Sequence, residues 1–292
     1  MPHLIPDSEV QRYTRGPASS TVSSVSNFQE AIRDILGNDY ETFLQGSYRN
    51  DTSVRELNDV DIVALRKFTV STVFSEERYN QTISWPDIFA AVKASLDTSP
   101  KLRGKTSYGD KCVKVNAEWK ADVVPAVRIK HYDQDPIAIY SFREAKERKN
   151  FPRVHYDNGV EKHQQTGETF KPLVRMFKRW AAHHWPSDES VAPSFYVECL
   201  VSNVPNDNFV TDLAHAFFQV GYWIERNILP NPAPVVYSVA RDKDILLDTE
   251  WKLANYARFH AQLVRSTGHV ATALNAQTQA EAIRRWRSAF NE

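Results

Sequence analysis

Residues 59–65 read Asp-Val-Asp-Ile-Val-Ala-Leu, and no other stretch constrains the fold as tightly. Val60, Ile62 and Val63 suit a buried strand, yet Asp59 and Asp61 stand two apart and so project from one face of it. Asp is depleted in strands, and two like charges on one strand face repel each other. An edge strand that turns its acids to water would remove the conflict. So would a divalent cation, because carboxylate oxygens select Mg2+ or Mn2+, and Mg2+ is commonly completed by the phosphates of a substrate.

The flanking sequence favours the cation. Gly46-Ser47 lies upstream, separated from Asp59 by the polar connector Tyr48–Asn58, with Arg49 just beyond the pair. A Gly lets backbone N–H groups close on a phosphate and the neighbouring hydroxyl adds a donor, although a Gly-Ser pair by itself is most often only a turn. A phosphate-gripping loop beside an acidic strand is what phosphoryl chemistry needs. Asp122 opens a second apolar run, residues 121–129, where an acid is again out of place, and Glu118 is its nearby competitor. Asp59, Asp61 and Asp122 would together hold two metal ions, one lowering the pKa of an attacking hydroxyl and one holding a triphosphate and its leaving pyrophosphate.

Patterning along the chain gives a mixed α/β half followed by a helical half. Helices are expected at 23–36, 85–96, 170–185, 194–201, 209–226, 250–265 and 279–290, with Ser84 capping the second of them and Pro86 in its first turn. Strands are expected at 59–65, 111–115 and 121–129, and Pro125 demands an edge, a bulge or the end of pairing. The polar stretch 137–169 is read as the boundary. Lys+Arg 36 against Asp+Glu 36 leaves no whole-chain field to draw the protein to nucleic acid or an anionic membrane. Two cysteines make neither a disulfide framework nor a zinc site, and no apolar run is long enough to span a bilayer. A cytoplasmic protein that does not engage a membrane is expected.

In the helical half, Lys171, Arg175 and Lys178 recur at helical spacing opposite an apolar stripe, either as a solvated face or as a cradle for a triphosphate. Adjacent His183 and His184 cannot share an ion and are read as packing or surface residues, Cys199 as a buried small residue, and Trp180, Trp185, Trp223, Trp251 and Trp286 as core. Asn158, His163, Gln165 and Thr166 are candidates for reading a base.

Taken as a set, Gly46-Ser47-Tyr48, Asp59-Val60-Asp61 and Asp122-Val123-Val124-Pro125 resemble the DNA polymerase β-like nucleotidyltransferases, and within them the bacterial cGAS/DncV-like nucleotidyltransferases. The run Lys171–Trp180 and the later Ser194-Phe195-Tyr196-Val197-Glu198 extend the resemblance into the second half. It implies an α+β fold: a catalytic lobe with a mixed β-sheet over 1–165, an oligoadenylate synthase-like helical lobe over 166–292, and an active site in the cleft between. By matching position, Gly46, Ser47, Arg49, Lys178 and Ser194 would bind the nucleotide triphosphate, and Asp59, Asp61 and Asp122 would be catalytic and hold two Mg2+ or Mn2+ ions. The implied activity is template-independent joining of NTPs into a cyclic di- or oligonucleotide messenger with release of pyrophosphate, in anti-phage (CBASS-type) signalling with a downstream effector for the product. A monomer without strong double-stranded nucleic-acid binding is expected. Transfer to a drug, a protein or an RNA 3′ end, or nucleotide binding without chemistry, are the competing readings.

Overall fold

The computed structural model describes residues 3–54, 59–75, 84–118, 120–130, 133, 135–186, 188, 190–228, 235–247 and 251–292, with Asp59 described in its backbone alone. In chain order the elements are α1 (Asp7–Thr14), α2 (Ser19–Leu36), β1 (Tyr40–Gln45), α3 (Gly46–Asn50), β2 (Asp59–Val70), α4 (Trp85–Thr98), β3 (Thr106–Tyr108), β4 (Val113–Asn116), β5 (Lys120–Arg128), β6 (Ile137–Ser141), β7 (Lys146–Asn150), α5 (Pro152–Gln165), α6 (Phe170–His184), α7 (Ser194–Asn203), α8 (Leu213–Asn227), α9 (Leu253–Leu274) and α10 (Gln279–Ala289). Of the connector between Ser47 and Asp59, residues 55–58 lie outside the described residues, as does Glu250 at the expected start of α9.

The chain divides into two compact units, Pro17–Val154 and a second made of Met1–Gly16 with His155–Glu292. The first unit is built on a seven-stranded mixed sheet, ordered β1-β2-β5-β4-β3, with β6 also pairing β5 and β7 at its outer side. Among the described strands, only β2 and β5 run parallel. Alternation along β2 explains why its whole run is apolar: Val60, Ile62 and Ala64 join a core with Val25, Ile32 and Leu36 of α2 and Phe89, Val92 and Leu96 of α4. Val63 and Leu65 turn to the other face and meet Ala126 and Ile137. The Ser84 cap forms, its hydroxyl accepting the Asp87 N–H at 3.4 Å.

Pro125 stands inside a central strand and not at an edge or a bulge, and of the three expected outcomes the end of pairing is the one seen. On one side β5 stays paired to β2 through Ala64 and Pro125. On the other, β4 pairs it up to Val123 and β6 takes over from Ala126. The proline falls in the gap between those partners, where no ladder bond is lost for want of its N–H.

The stretch 137–169, read as a polar boundary, holds β6, β7 and α5 instead. β6 is the short apolar run Ile-Ala-Ile-Tyr-Ser, overlooked within a stretch that is polar as a whole, and β7 carries charge, with Lys146 and Lys149 exposed, which hides its period. The division between units falls at 154/155 rather than at the expected 165/166, and the first sixteen residues belong with the helices. The reason is α1. Arg175 Nε on α6 donates to Thr14 O at 2.5 Å and Arg179 to Arg12 O at 2.9 Å, so the basic side of α6 is roofed by α1. The second unit packs α6 to α10 around Phe177, Trp180, Phe217, Phe259 and Trp286. His183 and His184 meet the carbonyls of Phe290 and Ala289 at 3.2 and 3.1 Å and anchor the end of α10, a packing role as expected. No helix among the described residues is long and apolar enough to cross a membrane.

Candidate active site

In the sheet unit, register sets the site. Gln45, Asp61, Asp122 and Lys114 are consecutive partners across β1, β2, β5 and β4, so their side chains stand in one row on one face of the sheet. That face is the one opposite α2 and α4, since Asp61 alternates with Val60 and Ile62. Asp59 lies two residues before Asp61, opposite Lys120, and its side chain is outside the described residues. Glu118 sits in the turn between β4 and β5, exposed, so Asp122 and not Glu118 is the strand acid.

Gly46 follows Gln45 directly and opens α3 with a left-handed φ of 67°. A Cβ placed there would run into Asp61 Oδ2 and lie 3.3 Å from Asp61 Cγ. Only a residue without a side chain lets the Gly46 backbone approach the carboxylate this closely. Ser47 is partly exposed one residue on, its carbonyl accepting the Thr52 N–H at 3.0 Å, and Arg49 is exposed on the same short helix. Gly46, Ser47, Asp61 and Asp122 are thus brought to one end of one sheet.

Sequence reasoning missed two neighbours. Lys114 is the register partner of Asp122, legible only once β4 and β5 are seen as a hairpin. Cys112 is buried beside them, and its thiol is pushed up by burial first, then by the charge of Asp122, a hydrogen bond to it and the charge of Asp61. Two hard carboxylates side by side, with a positive partner for one of them, are a donor set that fits Mg2+ or Mn2+.

The other expected residues lie in the helical unit. Ser194 is exposed at the first turn of α7, whose N-terminus carries no side-chain cap, and Phe195 beside it is exposed with Lys243 Nζ 5.5 Å from its ring. Lys178 does not lie on a solvated face. Its side chain is 3% exposed, and Nζ donates to Glu198 Oε2 at 2.7 Å. His155 of α5 meets the other oxygen of Glu198 at 3.0 Å. Burial alone would raise the Glu198 carboxyl, but the Lys178 ammonium and the His155 contact outweigh it and hold it well below the usual carboxylate range.

Among the described residues, one further set of side chains is close enough to suggest a metal: His3, Asp212 and His215. His3 Nδ1 accepts the Ile5 N–H at 3.1 Å, so in the neutral ring Nε2 carries the proton, which it presents to Asp212 Oδ2 at 2.9 Å. Metal-bound histidines normally donate through their second nitrogen. This cluster is a hydrogen-bonded anchor at the start of α8.

Known proteins resemble this chain over most of its length. Residues 157–268 match the family described as the cGAS/DncV-like nucleotidyltransferase C-terminal helical domain. The cyclic UMP-AMP synthase of Rhodothermus marinus is 30% identical over 246 residues, covering 76% of this chain and 84% of that protein. The cyclic dipurine nucleotide synthase of Elizabethkingia meningoseptica is 32% identical over 217 residues, covering 65% of this chain and 72% of that protein. A solved structure of the Rhodothermus marinus c-UMP-AMP synthase with Apcpp and Upnpp superposes with a TM-score of 0.73 at 26% identity, over 94% of this chain and 99% of that one. The chain belongs to the cGAS/DncV-like nucleotidyltransferases, with the polymerase β-like fold that its paired aspartates imply.

Proposed function

We propose that this enzyme joins nucleoside triphosphates, without a template, into a cyclic di- or oligonucleotide and releases pyrophosphate. The observation that carries the reading is the row of Asp61 and Asp122 with Gly46 pressed against Asp61. It supports a phosphate-gripping role for the Gly46 backbone beside two oxygen donors.

In the chemistry, an acceptor ribose hydroxyl forms a bond to the donor α-phosphorus as the bond from that phosphorus to the bridging oxygen breaks. Pyrophosphate leaves and the hydroxyl proton passes to water. Asp61, Asp122 and Asp59 would hold the divalent cations, two Mg2+ or Mn2+ by the number of carboxylates, which would supply acidity to the hydroxyl and balance the phosphate charge. The chain's own groups do the rest. Gly46 and Ser47 fix the phosphates through the backbone and the hydroxyl and Arg49 adds charge, and Ser194 and Lys178 are the other residues assigned to the donor triphosphate. Lys114 stands opposite Asp122 on the neighbouring strand.

Membership of the family does not carry the choice of base, since one relative is named for UMP and AMP and another for dipurines. The product is expected to act as a messenger read by a separate effector. Pyrophosphate release from the four NTPs with Mg2+ or Mn2+ tests the reading. Release that disappears in Asp61→Asn, with the thermal midpoint unchanged, supports it, and release that persists in Asp61→Asn removes it.

A further inference from the structure

The turn that joins β3 to β4 carries a thiol to the acidic row of the sheet. Val113 and Val115 of β4 join the core with α2 and α4, so Lys114, and Cys112 two residues before it, fall on the face that carries Asp61 and Asp122. The Cys112 side chain is buried and hydrogen-bonded to Asp122. An ionised carboxylate can only accept, so the hydrogen of the pair is the thiol's. Gly109 fixes where the sulfur sits: its N–H donates to Cys112 O at 2.8 Å, and a Cβ there would stand 2.7 Å from Cys112 Sγ and 3.1 Å from Lys114 Cε. Only a residue without a side chain lets the turn close on the sulfur in this way. The turn is also tied down from outside, because the Asp110 carboxylate accepts the Ser141 hydroxyl at 3.0 Å and the Arg143 N–H at 2.7 Å, and its carbonyl accepts the Phe142 N–H at 3.1 Å.

We propose that Cys112 is a positioning residue for the paired carboxylates: its S–H holds one oxygen of Asp122 and leaves the other for a divalent cation shared with Asp61. This deepens the nucleotidyltransferase reading and rests on it. Asp61 and Asp122 are register partners and repel each other when no cation lies between them, so an unrestrained carboxylate would relieve the repulsion by rotating away from its neighbour. A donor on one oxygen opposes that rotation before any metal arrives. Hydrogen bonds of this kind orient metal ligands in general, and losing one typically costs about 10–100-fold in metal affinity. A thiol suits the place in two ways. It is a weak donor, which leaves the carboxylate most of its charge, and its soft sulfur does not compete with carboxylate oxygen for a hard cation such as Mg2+.

The test separates the donor from the space it fills. Cys112→Ala removes the donor and Cys112→Ser puts one back. Cys112→Val fills the site without a donor and stands in should Cys112→Ala fail to fold. Mn2+ alone is titrated into the whole chain and followed by loss of the EPR signal of the free ion, well below the thermal midpoint of every variant. The Mg2+ concentration that gives half-maximal pyrophosphate release is measured alongside. Expected are a Mn2+ Kd and a half-maximal Mg2+ concentration both raised about tenfold in Cys112→Ala, with turnover at saturating Mg2+ changed less, and a return to within about threefold of the wild type in Cys112→Ser. A Cys112→Ala/Asp122→Asn double variant should bind Mn2+ no more weakly than Asp122→Asn, since the thiol acts through that carboxylate. Wild-type Mn2+ affinity in Cys112→Ala, or in Cys112→Val where that variant stands in for it, overturns the proposal. So does a Cys112→Ser variant that binds as weakly as the one without a donor, because the thiol would then only fill space. Turnover that survives Asp61→Asn removes the catalytic reading alone, since the Mn2+ titration still decides the role of Cys112. A wild-type chain that binds no Mn2+ overturns both.

Discussion

Asp61 and Asp122 are register partners on the two parallel strands of the sheet, so their carboxylates stand side by side on one face. Like charges directly opposite across strands destabilise by about 0.2–1 kcal/mol. Asp61→Asn or Asp122→Asn should therefore leave the metal-free protein as stable as the wild type or up to about 1 kcal/mol more so, while lowering pyrophosphate release by about a thousandfold. Thermal unfolding in EDTA and turnover in Mg2+ check the two halves. A variant that unfolds earlier in EDTA would show that the pair is structural.

Gly46→Ala adds one methyl group, directed at Asp61. The left-handed φ costs an Ala about 1 kcal/mol, and the collision must move either the loop or the carboxylate. The expected result is a folded protein with turnover reduced at least about a hundredfold, by the scale at which a small misplacement acts on catalysis. Full activity in Gly46→Ala would mean that the loop and Asp61 do not work together.

Glu198 makes acid stability a test of the buried triad. Its carboxyl is held below its ordinary value in the folded state, so its contribution is fully present above the unfolded pKa, about 4.3. It is lost as pH falls from there toward the folded-state value, where the unfolded chain binds a proton that the native one does not. Urea unfolding between pH 7 and pH 3 should show a steeper loss for the wild type than for Glu198→Gln. Parallel curves would place the pair outside the stability of the fold.

Lys162 is expected to react unusually at neutral pH. Burial first, and the nearby Arg241 second, push its pKa down to about 8, with its ammonium over the Phe209 ring and donating to Val204 O at 2.5 Å. Labelling with an amine-reactive reagent, read by mass spectrometry across pH 6 to 10, should give a midpoint near 8 for Lys162 and a higher one for exposed lysines. A midpoint near 10 would mean that solvent reaches the amine freely.

The sheet end of the site was readable in the sequence because its residues break local rules. Acids at 59, 61 and 122 stand where the pattern asks for apolar side chains, and a Gly precedes them where a close approach is required. The mixed sheet followed by helices was readable for the same kind of reason, from period. What stayed hidden depends on long-range packing. The α1 roof over Arg175 and Arg179 converts a stripe that looks solvated into a buried one, and nothing within α6 signals it. β6 is too short an apolar run to stand out from the polar stretch around it, the charged β7 has too little apolar contrast to show a period of two, and Lys178 met its partner twenty residues away on another helix.

The central claim is that the Asp61–Asp122 site closes NTPs into a ring. Its most direct measurement is mass spectrometry of the product formed from the four NTPs in Mg2+ or Mn2+ after phosphatase treatment. The account predicts a phosphatase-resistant species with the mass of nucleoside monophosphates less one water for each bond formed, as many bonds as nucleotides, and none of it from Asp61→Asn or Asp122→Asn. A linear product that loses its terminal phosphates, or the same cyclic species from either variant, would contradict it.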